Sequence, residues 1–198
     1  MTAPWQQVAR ILAHPWRRFA LGFIVFLLIL AIDHWMTSGV HTLLATGIAD
    51  ETAHLSTMVL FVLAFLMPRD AGFVLGCLIG SVAIDADHIP LYLGWDILTA
   101  DTNRPFTHSL LTMGIVLALS LVSGGRWQAI GLGLVVGLSA HFLRDAATSS
   151  AGVPLLWPVE TTGFTLPYPL YAAVLALALL PTLAAAIATY ERQRGPGH

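Results

Sequence analysis

Six apolar stretches divide the chain, at about 19–36, 53–67, 71–86, 108–123, 127–147 and 167–190. A bilayer core takes about 20 predominantly apolar residues per helix, with a range of roughly 17–25. Each stretch therefore predicts a helix. Several are shorter than an ideal crossing, which suits a compact bundle whose ends reach the membrane interface. The pattern reads as an all-α, polytopic integral membrane protein of about six transmembrane helices in one bundle. Residues 1–18 form an N-terminal segment, 19–190 the bundle and 191–198 a polar tail, with no second domain.

Composition sharpens this reading. Of 198 residues, 57% are hydrophobic and 10% charged, against about 25% charged in an ordinary soluble domain. The mean hydropathy is +0.77. A soluble globule of this size could not bury that much apolar surface. The lone Cys77 has no disulfide partner and reads as helix packing. The first stretch follows Arg10, Arg17 and Arg18 like a signal peptide. However, Asp33-His34-Trp35 closes it without a small-x-small cleavage site, so it reads as an uncleaved span.

Charge sets an expected orientation. All nine basic residues are Arg and none is clustered in a basic run, so no nucleic-acid partner is expected. With the N-terminus in the cytoplasm of a bacterial-type inner membrane, Arg10, Arg17, Arg18, Arg69, Arg126, Arg192 and Arg194 all fall inside. Only Arg104 and Arg144 fall outside. Six crossings return the C-terminus to the cytoplasm. The inner turns are then minimal, Pro68-Arg69-Asp70 and Gly124-Gly125-Arg126. The outer loops, 37–52, 87–107 and 148–166, are long, and long irregular loops are usually functional. Asp and Glu gather on that outer side.

Chemistry converges there. The second stretch begins at Glu51 and His54. The third ends at Asp85, Asp87 and His88, the fourth begins at His108, and the fifth ends at His141 and Asp145. His141 and Asp145 are spaced to share a helix face, as are Asp85 with His88 and Glu51 with His54. Imidazole and carboxylate groups in such pairs suit zinc, manganese or iron, and helical bundles build di-metal sites from facing Glu and His residues. Close carboxylates would repel without a cation. The predicted ligands are His54, Asp87, His88, His108, His141 and Asp145, enough for one or two divalent ions, zinc first. Asp85 is a bridging ligand or an outer partner, and Asp87 is a further candidate bridge. Glu51 is a general base or an extra ligand, and Arg104 or Arg144 a phosphate binder. His14, His34 and His41 read as interface residues. Thr107 and Ser109 either cap the fourth helix or hold a substrate oxygen. Gly76-x-x-x-Gly80 and Gly133-x-x-x-Gly137 predict close helix approach.

These residues resemble the YdjM-like membrane-bound metal-dependent hydrolases. The likeness is carried by Asp85-Ala86-Asp87-His88, Thr107-His108-Ser109, the segment His141-Phe142-Leu143-Arg144-Asp145-Ala146-Ala147-Thr148, and the Gly152…Leu156-Trp157-Pro158 segment, with His54 as the early His. It covers roughly residues 54–158. One departure stands out. Where the family reads His-Arg-Gly-x-Thr-His-Ser, this chain has Asn103-Arg104-Pro105-Phe106-Thr107-His108-Ser109. The resemblance implies metal-dependent hydrolysis. A centre at headgroup level implies a phosphoester in a membrane lipid or lipid-linked substrate as the partner. Two rivals stand beside it. One is a metal-binding or transport protein without hydrolysis, and the other is a non-hydrolase metal enzyme acting on lipids.

Overall fold

The computed structural model describes residues 12–65, 70–99, 102 and 104–194. Helix α1 is Pro15–Thr37, opened by a proline whose fixed φ suits the first helical turn. Helix α2 is Leu43–Phe65. Helix α3, Ala71–Gly80, starts at Asp70, whose Oδ1 accepts from the backbone N–H of Gly72 at 2.7 Å and Phe73 at 3.1 Å. A 3₁₀ segment, Ala83–Asp87, and the short α4, His88–Tyr92, follow. Then come α5 Leu110–Val122, α6 Gly125–Thr148, α7 Tyr168–Leu177 and α8 Leu180–Arg194.

Every apolar stretch becomes helical, but not every helix is long enough to cross a membrane alone. Among the described residues, four helical segments are long and apolar enough to span a membrane: α1, α2, α6 and the combined α7–α8. The pair α3 and Ala83–Leu91, bent by 43°, makes a fifth if taken as one broken span. Helix α5 has 13 residues, about 20 Å of rise against a core of about 30 Å. The expected six is therefore four to five by length and composition.

Two boundaries differ for physical reasons. Helix α2 begins at Leu43, not near residue 53, so most of the expected loop 37–52 is helical. Asp50 and Glu51 lower the local hydropathy, but they turn toward partners inside the bundle. Helix α3 stops at Gly80 although apolar sequence continues. This break leaves the Ser81 carbonyl to accept from His141 Nδ1 at 3.0 Å. The last segment turns at Ala178–Leu179, just before Pro181 in the first turn of α8, which has no N–H to continue the ladder. Residues 66–69, where a turn is expected, and Asn103 lie outside the described residues.

The two glycine pairs meet as their spacing predicts. A Cβ on Gly76 would stand 2.1 Å from the Ile130 carbonyl oxygen, and one on Gly133 would stand 2.1 Å from that of Phe73. Gly80 and Gly137 are as close to the backbone at Leu134 and Cys77. Helices α3 and α6 thus touch main chain to main chain. An apolar core of Ile29, Leu60, Ala64, Tyr171, Leu175, Ala178 and Leu179 joins α1, α2, α7 and the turn that leads into α8. Outside, α1 presents Phe23, Ile24, Leu27 and Leu28, while Arg144, Asp145, His54, His108 and His141 are buried. Apolar groups outside and charges inside is the arrangement lipid favours.

The segment after α6 folds back over the same end. Val153 and Phe164 exchange backbone hydrogen bonds of 3.0 and 2.8 Å. Gly152, at φ +69°, takes a left-handed conformation there. Leu110 N–H donates to the Leu155 carbonyl at 2.9 Å, and Phe106 stacks on Trp157 at 4.5 Å.

Candidate metal centre

The polar residues converge where α2, the α3–α4 break, the start of α5 and the end of α6 meet. His141 Nδ1 faces a backbone carbonyl, which can only accept, so Nδ1 carries the proton. In its neutral form the ring then offers Nε2 as a lone pair. That Nε2 lies 3.2 Å from His108 Nε2, 3.5 Å from Asp85 Oδ1 and 3.2 Å from Asp145 Oδ2. His108 Nε2 lies 3.2 Å from Asp85 Oδ1 and 3.6 Å from Asp145 Oδ2.

These distances have a simple meaning. Four ligands about 2.1 Å from a tetrahedral ion stand about 3.4 Å apart. Five of the six separations among Asp85 Oδ1, His108 Nε2, His141 Nε2 and Asp145 Oδ2 are 3.2–3.6 Å. The donor set therefore fits a divalent cation. Asp85, Asp87, His88 and His108 form a second group of the same kind, sharing Asp85 and His108 with the first. His88 Nδ1 is 3.3 Å from Asp85 Oδ1 and 2.9 Å from Asp87 Oδ1, and His108 Nδ1 is 3.2 Å from Asp87 Oδ2. The carboxylate common to both groups is Asp85; Asp87 belongs to the second alone.

His54 stacks on His141 at 3.9 Å, with its Nε2 3.3 Å from Asp145 Oδ1. Both of its ring nitrogens, His108 Nδ1 and Glu51 Oε2 are buried without a hydrogen bond of good geometry. Glu51 approaches Asp85, carboxylate to carboxylate. Orphaned nitrogens and facing carboxylates are costly unless a cation or proton joins them. Glu51 and His54 sit well inside α2, not at its start as expected. Thr107 donates its hydroxyl to Asp87 Oδ2. Ser109 is the N-cap of α5, accepting from Thr112 N–H at 3.4 Å.

The two arginines part company. Arg104 places its guanidinium on Asp145 Oδ2, at the edge of the centre. Arg144 is fully buried elsewhere, donating to Asp33 Oδ1 at 2.7 Å and Asp50 Oδ1 at 3.2 Å. Tyr168 also donates to Asp33, at 3.0 Å. This ion pair lines a cavity of about 500 Å³ with Leu30, Met36 and Ala147. Arg144 is thus committed to Asp33 and Asp50 and does not reach the imidazole cluster. Those two carboxylates were not assigned to Arg144 from sequence. In the sequence, Asp33-His34 has only its position at the end of the first stretch, and Asp50 falls in a segment that reads as a loop.

No curated protein and no solved structure matches the chain. The model of the YdjM inner membrane protein family matches residues 36–196. The matched region runs through every helix that contributes to the His/Asp cluster, and the chain belongs to that family.

Proposed function

We propose that the chain is a metal-dependent membrane hydrolase acting on a phosphoester of a lipid or lipid-linked substrate. The observation that carries this reading is the tetrahedral spacing of Asp85, His108, His141 and Asp145 around one point. His54, Asp87 and His88 extend the donor set to one or two ions, zinc first and manganese or iron next. When bound, such an ion polarises a phosphoryl oxygen and acidifies water.

The chain's own groups supply the rest. Glu51 Oε2, buried without a hydrogen-bond partner beside Asp85, is placed to take a proton from water entering the centre. Arg104, already on Asp145, is the cation nearest an incoming phosphoryl group. Thr107 holds Asp87 in one orientation. A substrate with its tails in the bilayer would bring its headgroup to this level. If α5 and the bent pair are taken as crossings too, the total is six, and both termini would lie on the cytoplasmic side with the centre toward the outer face. The bias of arginines supports this orientation.

Glu51 and His54 inside α2 favour the rival reading of metal binding or transport without hydrolysis. Elemental analysis of detergent-purified protein beside its His141→Ala variant, followed by phosphoester assays with the metal found, separates the two. The expected result is about one or two equivalents of metal per chain, lost in the variant, with phosphate release that follows the metal. Stoichiometric metal without release from any phosphoester would favour the rival. No metal even after reloading would remove both.

A further inference from the structure

Asp145 Oδ2 has two claims on it. It is one of the four converging donors, and it is the oxygen that the Arg104 guanidinium occupies. Arg104 also lines a polar cavity of about 280 Å³ on the other side, walled by Gly152, Thr161, Thr162 and Gly163. Arg104 thus belongs both to the centre's edge and to the cavity wall, with a side-chain relative exposure of 16%. The Thr102 hydroxyl lies against the Arg104 carbonyl.

Like charges decide where the guanidinium goes. A divalent cation on Asp145 Oδ2 and a guanidinium on the same oxygen repel in a site with little water. Turning away from Asp145 takes Arg104 toward the cavity, where no carboxylate lines the wall among the described residues. There the buried cation needs an anion, and a guanidinium fork matches a phosphoryl group.

Resting on the metal-centre reading above, we propose that this cavity is the binding site for the anionic phosphoryl group of the substrate. Arg104 passes from Asp145 to that anion as the cation binds. The threonine hydroxyls of the wall can donate to the oxygens of that group. The two binding events are then linked through one side chain, and the linkage is reciprocal.

The test is zinc titration calorimetry on the full chain in a maltoside detergent, with and without phenylphosphonate, for wild type, Arg104→Ala and Arg104→Lys. A parallel arm replaces phenylphosphonate with a short-chain phosphatidic acid. In wild type, the anion should tighten zinc binding about tenfold, within the range of ordinary couplings. In Arg104→Ala, zinc alone should bind more tightly than in wild type, because the competitor for Asp145 is gone. The effect of the anion should largely vanish in that variant. Arg104→Lys should keep part of the coupling. Coupling with both probes, or with the lipid alone, identifies a free-anion site or a headgroup site respectively, and either upholds the proposal. Undiminished coupling in Arg104→Ala would mean the anion acts without Arg104 and would overturn it. So would weaker zinc binding in that variant, or zinc binding in wild type with no coupling to either anion. Absence of zinc binding in wild type would instead remove the metal centre itself.

Discussion

The Nε2 atoms of His108 and His141 face one another at 3.2 Å, while the far nitrogen of His141 is held by the Ser81 carbonyl. At most one proton fits between two such nitrogens, and each also faces a carboxylate at 3.2 Å, His108 toward Asp85 and His141 toward Asp145. Two imidazoles and two carboxylates closing on one point are a donor set that a divalent cation could hold together.

Asp145 touches His54, His141, His108 and Arg104, so its charge is central. Asp145→Asn keeps the shape and removes the charge. It should reduce zinc affinity by more than about 100-fold, beyond the loss seen for outer partners of metal ligands. Competition against a chromophoric chelator measures this, and wild-type affinity in the variant would remove Asp145 from the ligand set.

Thr107 acts one step further out, through its hydroxyl on Asp87. Thr107→Val should weaken metal binding by about tenfold, at the low end for outer-partner substitutions. Thr107→Ser should restore it. An equal loss in the serine variant would assign the effect to packing at this position and not to the hydrogen bond.

Arg144→Met would leave Asp33 and Asp50 facing each other without a cation. Breaking a buried pair on one side costs about 3–5 kcal/mol, read as a lower midpoint of denaturation in detergent. Adding Asp33→Asn should recover much of it. The metal stoichiometry of whatever remains folded should not change, because Arg144 lies outside the donor set.

Gly137→Ala tests the contact between helices. Its Cβ would stand 2.3 Å from the Cys77 carbonyl oxygen and 2.8 Å from Ser81 N. Overpacking costs about 1–3 kcal/mol or more where backbone must move. Because the strain falls on Ser81, whose carbonyl holds His141, metal affinity should fall together with stability. Gly114→Ala, with nothing within 4 Å, should change neither.

The helices and the α3–α6 glycine contact were legible because both are local signals: hydropathy over a window, and small residues four apart. The cluster was legible because Asp85, Asp87, His88, His108, His141 and Asp145 all sit at the ends of apolar blocks. What the sequence concealed depends on distant partners. The start of α2 was hidden because Asp50 and Glu51 look like loop residues until Arg144 and Asp85 are placed opposite them. For Arg144 and Arg104, the same residue type carried no mark of which carboxylate each would meet. The break after Gly80 had no proline to announce it, since its purpose lies in the Ser81 carbonyl.

The bare backbone contact between α3 and α6 fixes more than a helix crossing. Asp85 and His88 hang just beyond one side of it, and His141 and Asp145 just beyond the other. Side chains between two helices act as springs, since rotamers can yield by tenths of an ångström. Main chain against main chain acts as a ruler. The span from the Asp85 carboxylate to the His141 imidazole is therefore calibrated by peptide groups, and changes in the thickness or fluidity of the surrounding lipid have little purchase on it.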